Sequence, residues 1–191
     1  MLPFSDPTVP SVVSIVVGGP VAGSWWGHPA GRLVYQIGEE LEGDSDIQLV
    51  KLWRGKLTLV HRSLWSPLVR VGRARAPWQT TGLSEPGRLL LDFVERTRTI
   101  RSDALPTDFP AGSHAFRPAL RDLERRLLVL TRSVHTTTGA HALEAESWAA
   151  WSTRVRPVRF VGSVESAQLL LENAARRLAP NSDPRRAFPW K

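Results

Sequence analysis

The sequence predicts an α+β fold: two small halves, each pairing helices with a β-hairpin, and a separate C-terminal helix. Two hairpin signals and one order of elements predict it. At 47–61, two apolar runs, Ile47 to Trp53 and Lys56 to His61, flank Arg54-Gly55, a two-residue turn signal. At 127–147, two further strand-like runs flank a threonine-glycine turn. Between the hairpins, residues 84–126 have room for three helices in succession. Three helices and then a hairpin is the order of a winged helix-turn-helix.

Each element has a local reason. Residues 1–11 contain Pro3, Pro7 and Pro10 and read as an extended arm. Val12 to Val17 is a short β-branched run, either a buried strand or a turn of helix, and Gly18-Gly19-Pro20 breaks it. Residues 23–29 (GSWWGHP) put two adjacent tryptophans between glycines and a histidine before proline. That reads as a structured loop leading into a helix. Gly31 to Glu42 is helical, with Leu33, Ile37 and Leu41 at i, i+4 and i+8 on one face. In the first hairpin Leu57 and Leu59 alternate with Lys56, Thr58 and Val60, which predicts one buried face. Ser63 to Ala74 resumes as helix with Pro67 near its start, and residues 76–82 form the junction to the second half.

In the second half, Ser84 caps a helix with Pro86 in its first turn. Ile100 to Pro106 leaves room for a short second helix capped at Ser102, and Phe116 to Arg126 is the third, recognition helix. Trp148 and Trp151, three apart after the second hairpin, read as core contacts. Residues 155–162 are extended. The C-terminal helix has Ser163 or Ser166 as its cap, Glu165 in its first turn and Arg176 and Arg177 in its last, matching the helix dipole. The expected organisation is an extended arm at 1–11, a helix and hairpin subdomain at 12–80 that reads either as a second winged-helix-like unit or as a compact α+β subdomain, a winged helix-turn-helix at 81–154, and a C-terminal helix and tail at 155–191.

Composition narrows the chemistry. Of 191 residues, 42% are hydrophobic and 23% charged, enough to bury a core. No apolar run reaches the roughly 20 residues that span a bilayer. No basic segment precedes an apolar one at the N-terminus, so a cytoplasmic location and no membrane association are expected. With no cysteine there is no disulfide, cysteine zinc finger, iron–sulfur ligation or thiol nucleophile. No two of the five histidines form a His-x3-His pair, and neither metal nor cofactor is expected. The net charge is +7, and lysine contributes only Lys51, Lys56 and Lys191. Arginine's planar fork suits phosphate and guanine edges. A GC-rich genome gives the same composition without any such role.

The candidate functional residues fall in four places. Arg117, Arg121 and Arg125 share one face of the recognition helix, while Leu120, Leu123 and Leu127 point elsewhere. The bland alternative is a solvated face partly neutralised by Asp122 and Glu124. Around the second hairpin turn, Arg132, Thr136 and Thr137 are candidates for phosphate contact, with His135 and His141 alongside. Around the first, Lys51, Arg54, Lys56 and Arg62 form a candidate anion surface. Trp25 and Trp26 form either core or a stacking surface for a base, with His28 and His61 as weak acid/base candidates. Glu39 and Glu40 read as solvent-facing.

The strings at 24–29 (SWWGHP), 51–65 (KLWRGKLTLVHRSLW) and 135–148 (HTTTGAHALEAESW) resemble a small group of uncharacterised bacterial proteins. Residues 84–151 are similar in architecture to the winged-helix modules of the bacterial interstrand-crosslink glycosylase family. That resemblance implies a winged-helix fold alone. The glutamine-containing catalytic motif of that family is missing, so no catalytic residue carries over.

The leading expectation is a protein that binds double-stranded DNA through arginine–phosphate contacts. One alternative is a hydrolase or glycosylase-type enzyme on DNA or a nucleotide, built around residues 25–28 and His61. The other is a protein–protein interaction module using exposed tryptophans and the C-terminal helix.

Overall fold

A computed structural model describes residues 1–105, 109, 112–136, 139–180 and 183–190. It has the α+β character that the hairpins predict, with two separate three-stranded sheets. The chain forms two units. The first gathers Met1–Leu68 and Val158–Pro189, and the second Val69–Pro157 with Trp190. The chain therefore leaves the first unit at Leu68 and returns to it at Val158, so the C-terminal helix belongs to the first unit.

In the first unit the proline-rich N-terminus is not a free arm. Leu2–Pro3 forms β1, an edge strand pairing antiparallel with β3 (Lys56–His61), which pairs in turn with β2 (Ile47–Trp53). Proline is tolerated at such an edge because one side of the strand lacks a partner. Phe4 N–H donates to Leu57 O at 2.8 Å and continues the pairing. Asp6 then turns the chain, its Oδ1 accepting from the Thr8 N–H and hydroxyl at 2.8 and 2.7 Å.

Val12–Val17 is a helix, α1. Ser11 and Ser14 cap it reciprocally, and Gly18 at φ 85° ends it in a conformation that suits glycine. The tryptophan string forms a 3-10 turn at Trp25–Gly27 and feeds α2 (Gly31–Gly43). The buried side chain of α2 is Val34, Ile37 and Leu41 are half-buried and Leu33 is 49% exposed, so the expected Leu33, Ile37, Leu41 stripe holds at its last two positions and is rotated outward at its first. Gly38 explains the rotation: a Cβ there would meet the Phe4 ring at 3.0 Å, so the helix backbone itself is the packing surface.

The first hairpin forms at the expected turn, with Arg54 and Gly55 both at positive φ (51° and 67°), as a type I′ turn requires. Its alternation is not as expected. Leu57 is exposed, whereas Thr58, Leu59 and Val60 are all buried. β3 is the central strand and both of its faces are covered at 58–60; a bulge lies in β2 between Lys51 and Trp53, where the Thr58 hydroxyl accepts from the Trp53 N–H at 3.0 Å. Trp53 is fully buried and meets Phe188 edge-on at 6.1 Å, while Arg54 N–H donates to Ala187 O. These contacts, with α8 (Val164–Leu178) capped by Ser163, hold the C-terminal segment in the first unit.

The second unit contains α4 (Pro77–Thr80), α5 (Glu85–Thr97), β4 (Thr99–Arg101), α6 (Gly112–Arg125), β5 (Val129–His135), β6 (His141–Ser147) and α7 (Trp148–Val155). It also takes in the later part of α3 (Trp65–Gly72). Ser84 caps α5 through the Gly87 N–H as expected. The short second helix capped by Ser102 is not found among the described residues. β-Branched Thr99 and Ile100 instead pair with Glu146 and Ala145 as a strand. Ser102 extends that pairing, its N–H donating to Leu143 O and its hydroxyl accepting from the Leu143 N–H. The sheet order is β4-β6-β5. Its core joins Leu90, Leu91 and Val94 of α5, Phe116, Leu120 and Leu123 of α6, and Ile100, Val129 and Ala145 of the sheet.

Arg156 ends α7 in the left-handed region (φ 53°, ψ 53°), its N–H bonded to Ser152 O. Glycine suits this position better. Arg156→Gly is expected to stabilise the protein by about 0.5–1 kcal/mol, seen as a higher urea midpoint at unchanged slope.

Candidate nucleic-acid interface

The candidate surface centres on α6. Helix geometry carries Arg117, Arg121 and Arg125 along one face, about 12 Å from first to last, close to the width of the B-DNA major groove. All three are exposed and form no ion pair among the described residues. The opposite face, with Phe116, Leu120 and Leu123, is buried to 1% or less. Amphipathicity therefore presents the arginines outward.

The neighbouring acids have partners elsewhere. Asp122 pairs with Arg126 at 2.8 Å, and Glu124 is 9% exposed and accepts from the Thr131 hydroxyl. Arg126 is in turn anchored to the carbonyl of Thr81 at 2.8 Å. Buried Gln79 bridges the carbonyls of Gly72 and Arg126 and accepts from the Ala76 N–H. These polar contacts fix the C-terminal end of α6. The second unit as a whole carries 14 arginines and no lysine against nine carboxylates.

The β5–β6 hairpin stands beside α6 in sequence order, in the manner of a wing. Arg132 lies directly across from Glu144 and makes a 2.7 Å hydrogen bond to it, so its guanidinium is already engaged. Thr136 closes the turn, its N–H donating to Ala140 O and its carbonyl accepting from Gly139, which has φ 79°. The rings of His135 and His141 face each other across the strands at 4.4 Å. Thr137 lies outside the described residues.

The expected anion surface on the first hairpin is largely occupied. Lys56 pairs with Asp6 at 3.1 Å, Arg54 lies 3.9 Å from the same carboxylate, and Arg62 pairs with Asp46. Lys51 also has a partner.

No match emerges among family models, curated proteins or solved structures.

His28 and His61 do not form a joint centre. His28 Nδ1 accepts from the Ala30 N–H at 3.1 Å, and His61 Nδ1 lies 3.0 Å from the Ser63 hydroxyl. Each ring caps its own turn, and no contact joins the two among the described residues. No cluster of three metal-ligating side chains occurs among those residues either. No helix among them is long and apolar enough to cross a membrane.

Trp25 and Trp26 divide the two roles that the sequence left open. Trp25 is half-buried and edge-on to Phe4 at 5.7 Å, whereas Trp26 stacks on Trp25 at 4.2 Å and is 65% exposed. Sequence reasoning missed three contributors. The Asp-Pro-Thr string at 6–8 signals the Asp6 turn. The roles of Gln79 and Gly38 have no local signal, because both depend on segments distant in sequence.

Proposed function

We propose that the second unit binds double-stranded DNA through the Arg117, Arg121 and Arg125 face of α6, with the β5–β6 hairpin as a secondary contact. The observation that carries this reading is the separation of charges on α6: the arginines face solvent while both adjacent acids are engaged elsewhere. On this helix the ion pair of Asp122 goes to Arg126 rather than to Arg117, Arg121 or Arg125. Thr136 supplies a hydroxyl at the hairpin, whereas Arg132 must first give up its pair with Glu144 to reach a phosphate. The first hairpin is secondary in this reading because its cations are paired.

Fluorescence anisotropy of a labelled random duplex tests it. Binding is expected to weaken steeply with salt, since each neutralised phosphate contributes about −0.9 to the slope of log K against log salt. Arg121→Ala/Arg125→Ala should reduce that slope by roughly 2 and weaken binding uniformly across sequences. No binding at low salt, or an unchanged slope in the double variant, would overturn the proposal.

A further inference from the structure

The exposed Trp26 belongs to a groove within the first unit, with a volume of about 150 Å³. Its walls are Phe4, Trp25, Trp26 and Tyr35, with Leu41, Leu49, Leu57 and Leu59 behind them. The rings form one continuous surface: Phe4 edge-on to Trp25, Trp25 stacked on Trp26, and Trp26 tilted against Tyr35 at 5.7 Å. Two charged side chains line it, Glu39 and Glu42 of α2, and none of the lining residues is basic. Neither glutamate makes an ion pair among the described residues.

These features select a ligand. In a protein of charge +7, an aromatic groove lined only by carboxylates opposes phosphate and favours a cation. Aromatic faces attract cations electrostatically, tryptophan most strongly. A guanidinium carries five N–H donors and a primary ammonium three; Glu39, Glu42 and the Tyr35 hydroxyl can accept some of them, while the leucine and remaining aromatic walls offer no side-chain acceptor. A quaternary ammonium has no donor, and its methyl groups suit the apolar lining. The volume is below the roughly 300–1,000 Å³ of drug-sized clefts, so it fits a head group and not a large molecule.

We propose that this groove binds the trimethylammonium head group of a small organic cation, with Trp26 and Tyr35 as the aromatic contacts and Glu39 and Glu42 as the countercharge. The site is separate from α6 and does not depend on the DNA-binding reading.

Choline is the probe, followed through the Trp26 indole N–H resonance of the full chain by two-dimensional NMR, the signal being assigned by its loss in Trp26→Ala. Choline should shift that signal saturably. Its uncharged isostere 3,3-dimethylbutan-1-ol should bind at least about fivefold more weakly, and Glu39→Gln/Glu42→Gln should weaken choline by a similar factor. These glutamates are exposed, so the double variant is expected to fold normally, which its unchanged NMR dispersion would verify. Equal binding of choline and the isostere would overturn the proposal by showing an apolar groove without charge selection. So would the absence of a saturable choline shift, or a shift produced instead by deoxyadenosine monophosphate stacking on Trp26.

Discussion

Trp148→Ala is expected to destabilise the second unit by about 3–5 kcal/mol, the range for deleting a buried aromatic side chain. Trp148 is 2% exposed, meets Trp151 edge-on at 5.9 Å, and donates its indole N–H to Leu127 O at 2.7 Å. Leu127 itself has φ 52°, a left-handed conformation that a branched side chain rarely adopts. It is the residue that turns the chain from α6 into β5, so the indole holds the strained joint behind the arginine face. Trp148→Phe keeps most of the ring volume but strands the Leu127 carbonyl, and should cost about 1–3 kcal/mol. Gly72→Ala approaches the same ring from the other side. A Cβ at Gly72 would lie 2.2 Å from Trp148 Cε2, so the ring must move, and a loss of at least about 2 kcal/mol is expected. Urea denaturation followed by circular dichroism measures all three. A loss under about 1.5 kcal/mol for Trp148→Ala would show that the indole is not the anchor described.

Asp6→Ala is expected to cost about 2–3 kcal/mol, with the loss confined to neutral pH. The carboxylate has no exposed surface, yet it accepts from the Thr8 N–H and hydroxyl and from Lys56 Nζ. Burial pushes its pKa up, and the Thr8 hydrogen bonds together with Lys56 more than offset this, leaving it below the ordinary aspartate value. A carboxyl whose pKa is depressed on folding contributes stability that is complete above its unfolded pKa and lost as pH falls through the folded one. Wild-type stability should therefore decline below about pH 4, and Asp6→Asn should flatten that part of the curve. Lys56 and Arg54 are 43% and 46% exposed and can turn to water when Asp6 is removed, which keeps the cost below that of an orphaned buried charge. Chemical denaturation at a series of pH values decides the matter: identical acid profiles for wild type and Asp6→Asn would contradict this account.

Elements whose cause is local were legible in the sequence. The Arg54-Gly55 turn, the Ser84 and Ser163 caps and the outward arginines of α6 each follow from a few neighbouring residues. What escaped depends on partners remote in the chain. Thr99 and Ile100 became a strand because β6 offers them an edge, and Ser102 followed them into that pairing. Pro3 marks the N-terminus as unsuited to a central strand, but only β3 makes it an edge strand. On α2 the expected stripe held at Ile37 and Leu41 and failed at Leu33, where Val34 turns inward and Phe4 lies on Gly38. The same limit applies to the sites. The spacing of Arg117, Arg121 and Arg125 was visible, whereas the engagement of Asp122 by Arg126 and of Glu124 by Thr131 had to be seen in three dimensions. The aromatic groove draws on Phe4, Trp25, Tyr35, Leu49 and Leu59, which no local window contains.

The departure of the chain from the first unit at Leu68 and its return at Val158 impose a schedule on synthesis. A ribosome delivers residues in order, and domains generally fold as they emerge. All of the second unit but Trp190 is therefore available to fold while the first still waits for its final segment. Until that segment arrives, Trp53 has no Phe188 against it and the Arg54 N–H no Ala187 carbonyl. The nascent first unit thus carries an open apolar wound for the time it takes to translate its own insertion. A premature stop shortly after residue 157 would yield a chain whose first unit lacks its final segment, and proteolysis should remove that unit first.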